Sequence, residues 1–164
     1  RLNYAKELVS VACPTVIKGN ISECKAFYGM TSHAHGVDAD IQDEEDIYES
    51  CKWLKEMALN LGCVVVCSGK IDVITDGKEV NLISNGCDML SRITGTGCML
   101  NVAIATFLAS YSPLLACIKA TCYYEVAAEK TKCEGPGTFH MHFMDEIYKL
   151  TSFDESLFKI EVLE

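Results

Sequence analysis

The sequence predicts an α/β layered fold, and three observations carry that prediction. Cys63-Val64-Val65-Val66-Cys67 is an unbroken apolar pentapeptide, the pattern of a strand covered on both faces, as in a parallel sheet. Residues 71–75 and 79–83 flank Asp76-Gly77, the pair that two-residue hairpin loops prefer. Segments with helical spacing precede and follow these strands, so strand, helix, strand, hairpin and stacked helices share one chain.

Each element follows from local chemistry. Leu2, Ala5, Leu8, Val9 and Ala12 stand at helical spacing, and Pro14 stops the pattern. Thr15-Val16-Ile17 is a β-branched run, read as a buried strand that stops at Gly19-Asn20. Asn20 is placed as the N-cap of a helix through Phe27-Tyr28, closed by Gly29. Residues 33–41 read as loop. Asp43-Glu44-Glu45-Asp46 then puts four acids at the front of a helix running to about Leu61, where they complement the dipole, and Gly62 ends it. After the hairpin, Thr94-Gly95-Thr96-Gly97-Cys98 leads into a helix over 99–109. Ser112-Pro113 marks the N-cap and first residue of another, running to about Lys130. A third helix is expected over 139–150, and a last strand over 158–163.

With 164 residues, the chain buries roughly 70% of its unfolded surface, enough for one substantial core, and residues 1–164 are read as a single domain. Fourteen basic against 23 acidic residues give a net charge of −9, which repels phosphate backbones and anionic lipid and argues against nucleic-acid or membrane partners. Residues 93–118 carry no formal charge, but Asn101, Thr106, Ser110 and Ser112 interrupt them, so two buried helices are expected there and not a membrane span. Arg1, Lys6 and Glu7 place charges where a signal peptide needs an apolar run. The chain lacks an initiator Met and is expected to start partway into a longer protein. None of the ten cysteines forms C-x-x-C, and several sit in apolar runs, so reduced thiols in a cytoplasmic protein are expected. His33-Ala34-His35 and His140-Met141-His142 lack zinc-ligand spacing with any cysteine pair.

Two constellations carry chemistry. Gly95-Thr96-Gly97 directly precedes an apolar helix, so its backbone N–H groups and the helix dipole can receive a phosphate or another oxyanion, although a tight turn alone also explains it. Cys98 falls in the first turn of that helix, where the dipole favours a thiolate; a small core residue is the plainer reading. Asn20-Ile21-Ser22-Glu23 sets a carboxylate one turn into a helix that follows a strand. It serves either as a magnesium anchor or as the second half of a capping box.

Several segments together resemble the hydroxyethylthiazole kinases of thiamine biosynthesis and salvage, within the ribokinase-like fold. They are Pro14-Thr15-Val16-Ile17-Lys18-Gly19-Asn20-Ile21-Ser22-Glu23, Gly36-Val37-Asp38, Ser68-Gly69-Lys70-Ile71-Asp72-Val73-Ile74-Thr75-Asp76-Gly77, Thr94-Gly95-Thr96-Gly97-Cys98, Ala127-Ala128-Glu129-Lys130 and Glu134-Gly135-Pro136-Gly137-Thr138-Phe139. Cys98 is the telling residue, since related sugar and vitamin kinases have Asp there. The resemblance implies a layered sheet with flanking helices that lacks its amino-terminal part, the chain being similar to the carboxy-terminal portion of the family. It implies ATP-dependent phosphorylation of the hydroxyl of 4-methyl-5-(2-hydroxyethyl)thiazole, with Mg2+, in a homotrimer whose sites lie at subunit boundaries. By position, Lys18 and Ser68 would bind ATP, Gly95 the thiazole alcohol and Glu23 the magnesium ion. Residues Gly95, Thr96, Gly97 and Cys98 would form an anion hole, with Cys98 a catalytic base or only part of its wall. The family usually has Arg where this chain has Lys18, and Lys exchanges a bidentate fork for a point charge. A separate amino-terminal half is an expected partner, without which little activity is expected. The alternative to a kinase is a non-catalytic nucleotide-binding fragment or scaffold subunit derived from the same family.

Overall fold

The structure, a computed structural model, describes residues 2–30, 47–149 and 154–163. The expected loop 33–41, the acidic residues 43–46 and the first histidine pair lie outside them. The chain divides into two compact units, Arg1–Leu82 with Glu161–Glu164, and Ile83–Ile160.

The first unit is built on a five-stranded sheet in the order β1-β2-β3-β4-β5. Helix α1 (Leu2–Ala12) ends where Cys13 turns left-handed, at φ 44, and donates its N–H to Val9 O at 3.1 Å; Pro14 then forbids continuation. Strand β1 (Val16–Asn20) runs on through Gly19 and Asn20, and Gly19 is its one buried residue. The expectation of a buried strand stopping short of these two residues is corrected. β1 stands at one end of the sheet order, so among the described residues it pairs with one neighbour.

Helix α2 (Ile21–Tyr28) opens on a capping box: Glu23 N–H donates to Asn20 Oδ1 and Asn20 N–H to Glu23 Oε2, both at 2.8 Å. Gly29, left-handed at φ 95, closes it. Helix α3 (Ile47–Leu61) carries the chain back so that β2 (Val64–Ser68) pairs parallel to β1, Val16 facing Val64 and Asn20 facing Ser68. β3 (Asp72–Thr75) then pairs antiparallel to β2, Cys67 opposite Val73, and β4 (Val80–Ile83) and β5 (Ile160–Leu163) complete the order. Leu54, Met57 and Ala58 of α3 pack with Val65, Cys67, Val73, Val80 and Leu82 of the sheet. Full burial of each large apolar side chain contributes about 1.5–3 kcal/mol.

The predicted two-residue hairpin loop is corrected. β3 and β4 are joined by residues 76–79, because Asp76 Oδ1 accepts the N–H groups of Lys78 at 2.9 Å and Glu79 at 3.0 Å and so builds a wider turn. These bonds hold the Asp76 carboxyl below its ordinary range despite its partial burial.

The second unit is helical. α4 (Thr96–Phe107), α5 (Pro113–Lys130) and α6 (Pro136–Lys149) follow one another, with α5 packed against both neighbours. Small residues on α5 (Ala116, Ala120, Ala127, Ala128) are almost wholly buried, which lets the helices approach closely. Tyr124 meets Phe143 edge-on at 4.8 Å, and Phe143 stacks on Phe139 at 5.4 Å. Two helix starts depart from expectation. Ser112 makes no side-chain cap, leaving Pro113 as the start signal, and α6 begins at Pro136, three residues early, because Thr138 Oγ1 accepts the N–H groups of Glu134 and Gly135. Among the described residues no helix is long and apolar enough to cross a membrane.

Gly77 and Gly62 both have positive φ, +89 and +64, but a Cβ on Gly77 would stand 2.8 Å from Leu59 N, while one on Gly62 would meet nothing within 4 Å. Gly62→Ala is expected to lose about 1 kcal/mol through backbone strain alone, and Gly77→Ala about 2–4 kcal/mol because the turn must also lift off the α3 backbone. Urea unfolding midpoints check this; equal losses would refute the close approach.

Candidate active site

Parallel pairing brings the carboxyl ends of β1 and β2 to one place, the position where open α/β sheets present ligand-binding groups. Lys18 and Ser68 meet there. Lys18 Nζ donates to Ser68 Oγ at 3.2 Å, and Ser68 Oγ donates to Gly19 O at 3.3 Å. An ammonium has three donors and the serine takes one, so half-buried Lys18 keeps capacity for an anion. Behind Ser68, the Gly69 N–H donates to buried Asp72 Oδ1 at 2.9 Å, which fixes the turn out of β2.

Glu23 belongs to the same neighbourhood. A Cβ on Gly19 would stand 3.1 Å from Glu23 Cβ and 3.2 Å from its Oε2, so the first turn of α2 sits tightly against the end of β1. The capping reading of Glu23 is therefore correct. It does not exclude the other, because the cap uses Oε2 and the exposed side chain retains Oε1.

The second unit holds the glycine-rich turn. Gly95, at φ 101 and ψ −9, is the N-cap of α4 and makes no side-chain cap, and the first intrahelical bond runs from Met99 N–H to Gly95 O at 2.9 Å. The N–H groups of Thr96, Gly97 and Cys98 precede that bond and point out of the helix start. Left-handed φ requires glycine at 95, and the space where a Cβ would stand is open to 4 Å. The α4 start carries no acidic side chain, so the partial positive charge of the helix end is not offset locally. The Thr96 hydroxyl is committed to Leu90 O at 2.9 Å and Ile93 O at 3.2 Å. Thr96 therefore offers the turn its N–H and not its side chain.

The thiols sort by surroundings. Cys24, Cys51, Cys63, Cys67, Cys117 and Cys122 are buried, while Cys98 and Cys13 are exposed. The hydrogen bond with Cys24 and then burial push the Cys67 thiol well up, and burial pushes Cys117 up to about 12. Those thiols pack, whereas Cys98 presents its sulfur at a helix start. His142 Nδ1 lies 2.7 Å from Lys132 O, and no group of three or more metal-ligating side chains occurs among the described residues.

Sequence reasoning missed the long-range hydrogen bonds of the second unit. Asn85 Nδ2 donates to Glu129 Oε1 and Leu157 O, and its Oδ1 accepts Lys159 N–H at 2.8 Å. Glu129 also accepts Gly86 N–H and pairs with Lys159. Tyr124 Oη donates to Thr96 O at 2.9 Å. The only signals were the burial of α5 and the Ala127-Ala128-Glu129-Lys130 segment, neither of which names a partner distant in sequence.

The sequence model of the hydroxyethylthiazole kinase family matches residues 1–153. Hydroxyethylthiazole kinase 2 of Clostridium botulinum (strain Langeland) is 39% identical over 155 residues, covering 92% of this chain and 58% of the relative. The hydroxyethylthiazole kinase of Pyrococcus furiosus is 36% identical over 167 residues, covering 100% and 62%. Among solved structures, the hydroxyethylthiazole kinase protein from Pyrococcus horikoshii superposes with a TM-score of 0.83 at 28% identity, over 99% of this chain and 60% of that one. The pyridoxal kinase of Staphylococcus aureus does so with 0.62 at 22% identity, over 100% and 57%, a likeness of fold. The chain thus spans about three fifths of the length of the relatives it matches, has the ribokinase-like α/β fold, and belongs to the hydroxyethylthiazole kinase family.

Proposed function

We propose that this chain acts in the ATP-dependent phosphorylation of the hydroxyl of 4-methyl-5-(2-hydroxyethyl)thiazole, a reading supported by relatives that are named hydroxyethylthiazole kinases. The observation that carries the reading is the start of α4, where a left-handed glycine leaves three backbone N–H groups open beside an exposed cysteine.

In the proposed reaction an oxygen–phosphorus bond forms between the alcohol and the γ-phosphoryl group, and the bond to the β-phosphate oxygen breaks. Positioning and neutralisation of charge supply most of the catalysis in such transfers. Lys18 offsets nucleotide phosphate charge, and Ser68 both orients its ammonium and contacts ATP. The Thr96, Gly97 and Cys98 N–H groups receive charge on the transferring oxygens, while Gly95 stands against the alcohol. Cys98 lines this anion hole, and its side chain either accepts the hydroxyl proton or serves only as part of the wall. Mg2+ fits the donor set at Glu23, because a hard cation that keeps most of its ligands as water and phosphate oxygen needs one carboxylate oxygen, and Oε1 is that oxygen. When bound, it would neutralise phosphate charge. A cytoplasmic homotrimer with sites at subunit boundaries accompanies this reading, and light scattering that returns one chain per particle would overturn the trimer.

Two experiments test the site. Calorimetric titration with ATP–Mg should show affinity reduced at least about fivefold in Gly97→Asp, because a carboxylate about 4 Å from a phosphate costs 1 kcal/mol or more. The new side chain suits a helix start, so folding should survive; binding equal to that of the parent chain would sink the assignment. Cys98 at the amino end of α4 and Cys13 at the carboxyl end of α1 are both exposed but lie at opposite ends of helix dipoles. Alkylation followed by peptide mass spectrometry should give an iodoacetate-to-iodoacetamide rate ratio about two- to fivefold higher at Cys98, since only the anionic reagent feels the dipole. Equal ratios would show that the α4 start does not attract anions.

A further inference from the structure

We infer that Tyr124 is a positioning residue for the anion-receiving turn, holding the first turn of α4 in place through its hydrogen bond to the Thr96 carbonyl. The inference rests on the reading of residues 95–98 as an anion hole. It adds a residue from a different helix to that turn.

The first turn of α4 is poorly held by its own helix. Its buried residues begin at Leu100, and Gly97 and Cys98 are exposed. A helix end of this kind frays, and N–H groups that move cannot hold a fixed geometry toward an oxyanion. Two contacts restrain it from outside. The Thr96 hydroxyl donates to Leu90 O and Ile93 O, tying the turn to the 3₁₀ segment Asp88–Leu90 and the loop after it. Tyr124 Oη donates to Thr96 O at 2.9 Å, tying the same residue to α5. Both restraints converge on Thr96, the residue before the two glycine and cysteine N–H groups, and neither consumes one of the open N–H groups.

Tyr124 is suited to the task by its own support. It is 3% exposed, and its ring edge meets Phe143 at 4.8 Å, which in turn stacks on Phe139. A buried ring packed against Phe143 directs its hydroxyl with little further loss of side-chain entropy. Burial, and then the neighbouring Glu125 carboxylate, push the phenol well up, so the hydroxyl remains a donor throughout the pH range in which the protein is handled. Tyr123 provides a control on the same helix: its hydroxyl donates to Ile147 O at 2.5 Å, a carbonyl of α6 and not of the turn.

The test compares Tyr124→Phe with Tyr123→Phe in the 164-residue chain. Each variant keeps its ring and loses one hydroxyl donated to a helix carbonyl, so similar falls in melting temperature are expected. The backbone amide resonances of Gly97 and Cys98 are followed by 15N NMR, first in the free chain and then during titration with inorganic phosphate. In Tyr124→Phe these amides should shift in the free chain, exchange faster with solvent, and bind phosphate about three- to tenfold more weakly, the scale of one lost hydrogen bond. In Tyr123→Phe they should match the parent chain. Parent-like amides and parent-like phosphate affinity in Tyr124→Phe would overturn the positioning role. Parent amides that ignore phosphate altogether would instead refute the anion-hole reading, and the free-chain exchange rates would still decide whether Tyr124 braces the turn.

Discussion

The parallel pairing of β1 with β2 is the constraint on which the first unit depends. Two parallel neighbours cannot be joined by a tight turn, so the chain must leave β1, cross over the sheet and return. α2 and α3 lie on that connection, and α3 covers the sheet face made by Val65, Cys67, Val73 and Leu82. The same constraint makes both strands end on the same side. Register then sets Asn20 opposite Ser68, with Lys18 two residues back on β1, which is why a lysine and a serine fifty positions apart share a hydrogen bond. Shifting the register by one residue would turn Lys18 to the opposite face and bury its charge against α3.

Each unit carries its own source of positive potential, and the two sources differ physically. Lys18 is a mobile point charge, partly restrained by Ser68. The start of α4 is a fixed array of backbone dipoles that needs no charged side chain and cannot be neutralised by a proton. That division suits a chain with a net charge of −9, in which added surface cations would be drawn into ion pairs such as Lys52 with Glu49 and Lys119 with Glu155. Backbone donors escape that competition, but they depend on the geometry of the turn, hence on Gly95 and on whatever holds Thr96.

Legibility in the sequence follows the range of the interaction. The α2 boundaries were legible because the Asn20–Glu23 box and Gly29 are local signals with local partners, and α5 was legible from Pro113 and its apolar periodicity. The strands β2 to β4 were readable for the same reason, from short apolar runs around a turn pair. The hairpin turn was misjudged because Asp76 prefers to bond two neighbouring N–H groups and widens the loop, a competition that the Asp-Gly pair alone does not reveal. The start of α6 was missed because its cap is Thr138, inside the helix, bonding backward to Glu134 and Gly135. The motif residues were named from their resemblance to a family, but the long-range hydrogen bonds of the second unit were not legible. Asn85, Glu129 and Tyr124 act across gaps of 28 to 74 residues, where no periodicity links donor to acceptor.

These supports share a form that bears on how such a site tolerates sequence change. Thr96 and Asp72 each use a side chain to hold backbone beside a candidate site residue. Asp72 is buried and Thr96 half-buried, and a polar group withdrawn from water is costly to leave unpaired, so losing either partner destabilises its unit as well as loosening the turn. The glycines and the cysteine at the α4 start make few such bonds and are exposed, so replacing them leaves the core intact while altering what the turn can receive. Stability and chemistry are thereby assigned to neighbouring residues with different burial: Thr96 and Tyr124 carry the geometry, and Gly95, Gly97 and Cys98 carry the open donors. A change at the open donors can therefore spare folding, whereas a change in the braces affects both the turn and the stability of the unit.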